Sequence, residues 1–307
     1  METAAGKISL RSAIATAAFI VMLLIPAPGG AQSAVPASSS SLSAAVENYF
    51  LGWFPRVTRI QAEQPHWITP LVTVTPRLEE EFRYDQFWQS QRHGVATDNF
   101  GGGKGLELIP FQDVEIILGV PAWIAHNGTI QHPHGTKQPS SDGWADESFL
   151  VKYRLLSANE ESGNYILTAF MGFSAPTGDD GNSAHHGIFT PTIAGGKGFG
   201  NFAVQSTAGI ALPDGGLERL GMPLLWNTAF QYRVFKLFWP ELEVNYSWWP
   251  NGEREGETQV FLTPGLVIGR IPIHDRVGLT IGAGYQVAVT HHAAYNHAVI
   301  FSGRIPF

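Results

Sequence analysis

The chain has 307 residues, a formal net charge of -7 and no cysteine. Hydrophobic residues are 44%, too few for a bundle of membrane helices, and charged residues are only 15%, too few for a disordered chain. Disulfides, thiolate metal sites, a cysteine nucleophile and a lipid anchor on a processed cysteine are excluded, and no basic stripe points to nucleic acid.

The chain opens with the features of a secretory signal. Lys7 and Arg11 supply the positive region, and Ala13 to Ile25 is an unbroken run of apolar and small residues. Pro26 and Pro28 break it, and Gly29 and Ala31 suit the -3 and -1 positions of a cut before Gln32. The run is shorter than the roughly 20 residues that span a bilayer as a helix, so cleavage is expected over anchoring. Residues 1–31 are therefore read as a signal peptide and 32–68 as a flexible periplasmic segment, Ser- and Ala-rich over Ser38 to Ser43. Phe50, Trp53 and Phe54 suggest a short helix or turn within it.

From Thr69 to the end, segments of roughly ten residues alternate apolar and polar between Gly, Pro, Asn and Asp clusters, the signature of transmembrane β-strands. About twelve are expected. They begin near Thr69, Gly105, Gln112, Ala145, Gly163, Ile188, Asn201, Met222, Lys236, Thr258, Asp275 and Asn296. Leu237 to Trp248 is the clearest, with Phe238, Pro240, Leu242, Val244, Tyr246 and Trp248 opposite Trp239, Glu241, Glu243, Asn245 and Ser247. Val277 to Val289 repeats the pattern over a length unusual for a soluble strand. Connections after odd strands are long, as in Asp85 to Lys104 and Pro121 to Trp144, and those after even strands are short. That asymmetry predicts an all-β fold, an antiparallel transmembrane barrel over residues 69–307 with both termini in the periplasm. The closing strand sets Val299, Phe301, Gly303, Ile305 and Phe307 on one face, and a terminal phenylalanine is the expected signal to a barrel-insertion machinery. Outer-membrane lipid and lipopolysaccharide are the expected surroundings, in a Gram-negative bacterium. Strand-end aromatics such as Trp226, Trp239, Trp248, Trp249, Phe87 and Trp88 suit interfacial girdles.

Candidate chemistry is sparse. The Gly-rich runs Gly101 to Gly105 and Gly195 to Gly200 lack the spacing that cradles phosphate, and there is no GxSxG, so neither a cofactor nor a catalytic residue is expected. Acidic pairs at i, i+2 and basic residues on the same inward faces read as lumen lining: Arg77, Glu79, Glu81, Glu115, Lys152, Arg154, Arg233, Glu241, Glu243 and Arg304. Histidines gather in the predicted outer loops. His132, His134, His185, His186, His291 and His292 are candidates for metal only if those loops converge, and exposed histidines without a shared ligand are the simpler expectation.

Three segments carry a resemblance. Phe149 to Leu156 (FLVKYRLL), Ser174 to Asp180 (SAPTGDD) and the final hairpin from Gly282 to Phe307 look like the outer-membrane proteins grouped under the MetA pathway of phenol degradation. The resemblance implies a barrel of about twelve strands and uptake of aromatic or other apolar compounds, and it supplies no catalytic residue. The expectation is a non-enzymatic channel for passive uptake of small solutes. A structural or adhesive barrel acting through its outer loops is the alternative, with a barrel enzyme behind it.

Overall fold

The computed structural model describes residues 39–91, 95–101, 105–128, 130–132, 135–137 and 141–307. The signal peptide expected over 1–31, the start of the Ser-rich stretch and His134 lie outside the described residues. The chain divides into two units, Met1–Phe50 and Leu51–Phe307. Most of helix α1 (Ser39–Leu51) falls in the first, with Leu42, Val46 and Phe50 exposed.

The second unit begins with α2 (Trp53–Ala62). Pro55 sits in its first turn, where a missing N–H costs no helical hydrogen bond. Val57 and Ile60, one turn apart, bury fully against Leu78 and Ile109. Residues 32–68, expected to be flexible, are thus helical over two stretches of their described part, and the second helix is packed.

Twelve strands then form a closed antiparallel barrel: β1 (Glu81–Ser90), β2 (Gly105–Phe111), β3 (Val114–Gly119), β4 (Glu147–Ala158), β5 (Tyr165–Ala175), β6 (Ile188–Phe199), β7 (Phe202–Ile210), β8 (Leu224–Tyr232), β9 (Phe238–Trp248), β10 (Thr258–His274), β11 (Val277–Ala288) and β12 (His297–Pro306). Each pairs with its neighbours in sequence, and β12 closes on β1 from Glu81↔Pro306 to Ser90↔His297. Closure leaves no row of unpaired backbone groups.

Turns at one end are short. Gly200 takes a φ of 62° in the β6–β7 turn and Asp275 a φ of 42° in the β10–β11 turn, the left-handed geometry of tight hairpins. The other end carries the longer connections. There the loop expected over Asp85 to Lys104 is largely strand: β1 runs to Ser90 and pairs with Ala96–Phe100. That strand pairs in turn with Trp123–Asn127, inside the loop expected over Pro121 to Trp144. Thr97, Asp98 and Asn99 have no apolar alternation to announce a strand, and the neighbouring ladder supplies the pairing instead.

The first expected strand is also different. Residues 69–80 join no ladder, and the first strand starts at Glu81. Pro70 and Pro76 have no N–H to give a ladder, and this segment's amides turn to side chains instead.

The wall is inverted relative to a water-soluble protein. On β12, Val299, Phe301 and Ile305 are exposed, whereas Ser302 and Arg304 are buried. On β9, Phe238 and Leu242 are exposed, whereas Glu241 and Glu243 are buried. Apolar side chains facing out around a closed barrel need an apolar surrounding, and polar ones facing in need water or polar partners. Among the described residues no helix is long and apolar enough to cross a membrane.

Candidate functional site, an occupied barrel lumen

The interior of the barrel is filled by the chain's own segment Gln64 to Glu80. This plug touches inward side chains from strands on all sides, so it runs through the lumen rather than along its rim.

The wall grips the plug mainly by its backbone. Glu241 accepts the amide of Leu71 at 3.0 Å, and Glu243 accepts those of Val72 and Thr73 at 2.8 and 2.5 Å. Glu115 on β3 accepts the amide of Glu79 at 2.5 Å. Cationic side chains take the carbonyls. Arg83 donates to Leu71 O at 2.5 Å, Arg304 to Pro70 O at 2.7 Å and also to Thr69 O, and Lys152 to Arg77 O at 3.1 Å. Neutral groups complete the ring: Thr168 donates to Pro76 O at 2.6 Å and Gln205 to Ile68 O at 2.9 Å. Bonds with one ionised partner are the stronger kind, and here they address the backbone of a segment without secondary structure.

Two apolar anchors sit among these bonds. Leu71 lies over Gly265, Gly282 and Gly284, where an added Cβ would approach its methyls to 2.5, 2.6 and 2.7 Å. Trp67 lies over Gly196, where a Cβ would fall 2.4 Å from its ring. Glycine at these wall positions makes room for the plug. Leu71 and Trp67 join Ile166, Ala203, Trp239 and Val267 in one buried cluster.

α2 covers the short-turn end. Arg154 donates to Ile60 O at 3.0 Å and pairs with Asp113 at 2.9 Å and Glu63 at 3.2 Å. Arg276, in the β10–β11 turn, donates to Thr58 Oγ1. At the junction of α2 and plug, the amide and Nδ1 of His66 meet Glu160 at 2.7 and 2.8 Å. Burial pushes the Glu160 carboxyl up, but the two bonds from His66 outweigh it and hold the group below its ordinary value.

The residues read from the sequence as lumen lining fall into three groups. Glu81, Glu115, Lys152, Arg154, Glu241, Glu243 and Arg304 are buried on barrel strands. Lys152 and Glu115 form a fully buried pair at 2.8 Å. Arg77 and Glu79 are buried too, but on the plug, where they pair with each other at 2.9 Å, and Arg77 also donates to Trp67 O. Arg233 is half-buried in the β8–β9 turn, with its guanidinium 5.7 Å from the Trp239 ring centre. The sequence reading missed Arg83 and its partner Asp85, 2.8 Å apart and buried. They continue the two-residue step of Glu81, and that step was the available signal. It also missed Gln205, Gln231 and Glu107, all buried on inward faces.

Among the described residues the candidate histidines form no shared cluster. His132 lies in the short strand Ile130–His132. His186 faces Asp214 at 3.5 Å, and His292 faces Glu257 at 3.0 Å in a different loop pair. Arg254 and His292 together hold the Glu257 carboxyl below its ordinary value, the hydrogen bond from Arg254 contributing most. His185 has a φ of 61°, and His291 lines an open hollow of about 680 Å³ with His292 and Glu257. Among the described residues no group of three or more His, Cys, Asp or Glu side chains is arranged to hold a metal ion.

On the long-loop side of the plug a smaller hollow of about 230 Å³ opens between it and the wall. Val74, Ile117, Leu150 and Gly172 line it, with the hydroxyls of Ser148, Ser174 and Thr190.

No family model matches the sequence, and no curated protein does. Among solved structures, an outer membrane channel from Pseudomonas putida matches with a TM-score of 0.53 at 11% identity, covering 73% of this chain and 93% of that one. The NanC porin matches with a TM-score of 0.47 at 9% identity, over 73% of this chain and 98% of that one. The likeness to the Pseudomonas putida channel is one of fold.

Proposed function

We propose that this chain is an outer-membrane channel of a Gram-negative bacterium for passive passage of small solutes. The observation that carries the reading is the inverted wall, with exposed Phe301, Ile305 and Leu242 backed by buried Arg304 and Glu243. Lipid suits the first set, and a water-filled or plugged lumen suits the second. The fold it shares with a protein described as an outer membrane channel is in keeping with this role.

The hollow above the plug supports a preference for small apolar solutes bearing a hydroxyl. Its volume of about 230 Å³ suits a single ring, and its lining is apolar with three hydroxyl groups. The resemblance to the phenol-degradation group points the same way, and Phe149 to Leu156, one of its segments, forms most of β4, which borders this hollow. In this reading the short turns and both termini face the periplasm, a signal peptide exports the chain, and the insertion machinery reads Phe307.

The plug favours a second reading, a structural barrel that works through its loops and never conducts. Solute flux through the refolded protein in liposomes separates the two, with small sugars compared against a phenolic compound. Flux above empty liposomes supports the channel, and a higher rate for the phenolic supports the apolar preference. Absence of flux for both, from protein whose barrel is folded, favours the structural barrel.

A further inference from the structure

We propose that Gln64 to Glu80 is a displaceable plug, an autoinhibitory segment that closes the lumen in this structure and leaves it as a unit to open the channel. This inference rests on the channel reading for its purpose but not for its geometry.

Three observations carry it. First, the plug shares no ladder with the wall. A segment zipped into the sheet could leave only by breaking the barrel, whereas this one is attached covalently to the wall only where Glu80 enters β1. Second, its seat is polar. Glu115, Lys152, Glu241, Glu243, Arg83 and Arg304 make their plug contacts to backbone amides and carbonyls. With the plug gone, water in the lumen can solvate the same charges, so neither state strands a buried ion. A permanent filler would be better served by an apolar interior, which stabilises without desolvating charge. Third, the apolar contribution is confined to two small clusters, one around Trp67 and Leu71 with Ile68 and Val72 beside them, the other where Leu78 meets Ile109. Leu71 rests on Gly265, Gly282 and Gly284, and Trp67 on Gly196, surfaces that offer contact but no enclosing side chain from the glycine itself.

The route out is toward the short-turn end. α2 precedes the plug there, and its ties to the barrel are hydrogen bonds and ion pairs at Arg154, Ser157, Asn159 and Arg276, with Glu160 holding His66 at the junction, together with the small cluster of Val57, Ile60, Leu78 and Ile109. Pulling α2 away would draw the plug after it.

The absence of native cysteine makes the test direct. Leu71→Cys with Gly282→Cys places a lock between plug and wall, Glu243→Gln loosens the seat by removing one of two amide acceptors, and Thr73→Cys reports on exposure of the plug. The full mature chain is refolded into liposomes and probed with a bulky, membrane-impermeant maleimide and with solute flux. The proposal expects Glu243→Gln to raise labelling of Thr73→Cys by about tenfold, the order expected from losing a charge-assisted bond. It expects the oxidised lock to suppress flux and a reductant to restore it. Labelling that does not change with Glu243→Gln, together with flux indifferent to the lock, would overturn the plug as a gate while leaving the channel intact. Labelling that rises while no variant conducts would keep the plug displaceable and sink the channel reading instead.

Discussion

A Cβ on Gly282 would lie 2.6 Å from Cδ2 of Leu71, closer than any two such carbons can sit. The barrel wall is therefore cut to the shape of the segment inside it, and the fit can be tested from both sides. Gly282→Ala should destabilise the protein by about 1–3 kcal/mol through overpacking. Leu71→Ala should cost about 2–5 kcal/mol through the cavity it leaves. The double variant should cost clearly less than their sum, because the new methyl fills part of that cavity. Urea unfolding of the refolded barrel measures all three, and strict additivity would mean that the two residues do not touch.

Lys152 and Glu115 meet at 2.8 Å with both side chains fully buried. Removing one charge strands the other, so Lys152→Met should cost about 3–5 kcal/mol. Adding Glu115→Leu should recover part of that loss but not all, because Glu115 also accepts the amide of Glu79. The same unfolding assay reads it, and equal stability of the single variant and the native chain would contradict burial of the pair.

The junction between α2 and the plug should respond to acid. The Glu160 carboxyl is depressed below its ordinary value of 4.5 by the two bonds from His66. A group depressed on folding stabilises above its unfolded value and loses that contribution as pH falls through the folded one. Proteolysis of the His66 region should therefore accelerate as pH drops below 4.5, and Glu160→Gln should remove that part of the pH dependence. Cleavage of the native chain that is flat across this window would count against the contact.

The outward face should reject charge. Leu242 points out of β9 between Phe230 and Pro264 on the neighbouring strands. Leu242→Arg should cost about 2–4 kcal/mol in bilayers, whereas Leu242→Phe should be close to neutral. Folding titrations into vesicles measure the difference, and equal folding of the two would argue that this face does not meet lipid.

These positions also mark where the sequence was legible. Alternation in β9, β11 and β12 is plain because each face meets one environment throughout, and the count of twelve strands followed from it. Leu71 to Thr75 has the same β-rich composition, yet it forms no strand, because ladder membership depends on a distant partner. Pro70 and Pro76 were the local warning. Arg83 and Asp85 went unread because the first strand was placed early and Asp85 was assigned to a loop. The loop histidines could not be sorted from sequence at all. Whether His186 meets Asp214 or His292 meets Glu257 depends on how separate loops fold back on one another.

The barrel holds its own Gln64 to Glu80 inside, bonded through the backbone. Hydrogen exchange of the refolded full-length protein reads those bonds one amide at a time. Leu71, Val72, Thr73 and Glu79, whose amides are held by Glu241, Glu243 and Glu115, should exchange slowly, well below free-chain rates. Exchange of these four at free-chain rates, in a barrel whose strand amides are protected, would contradict it.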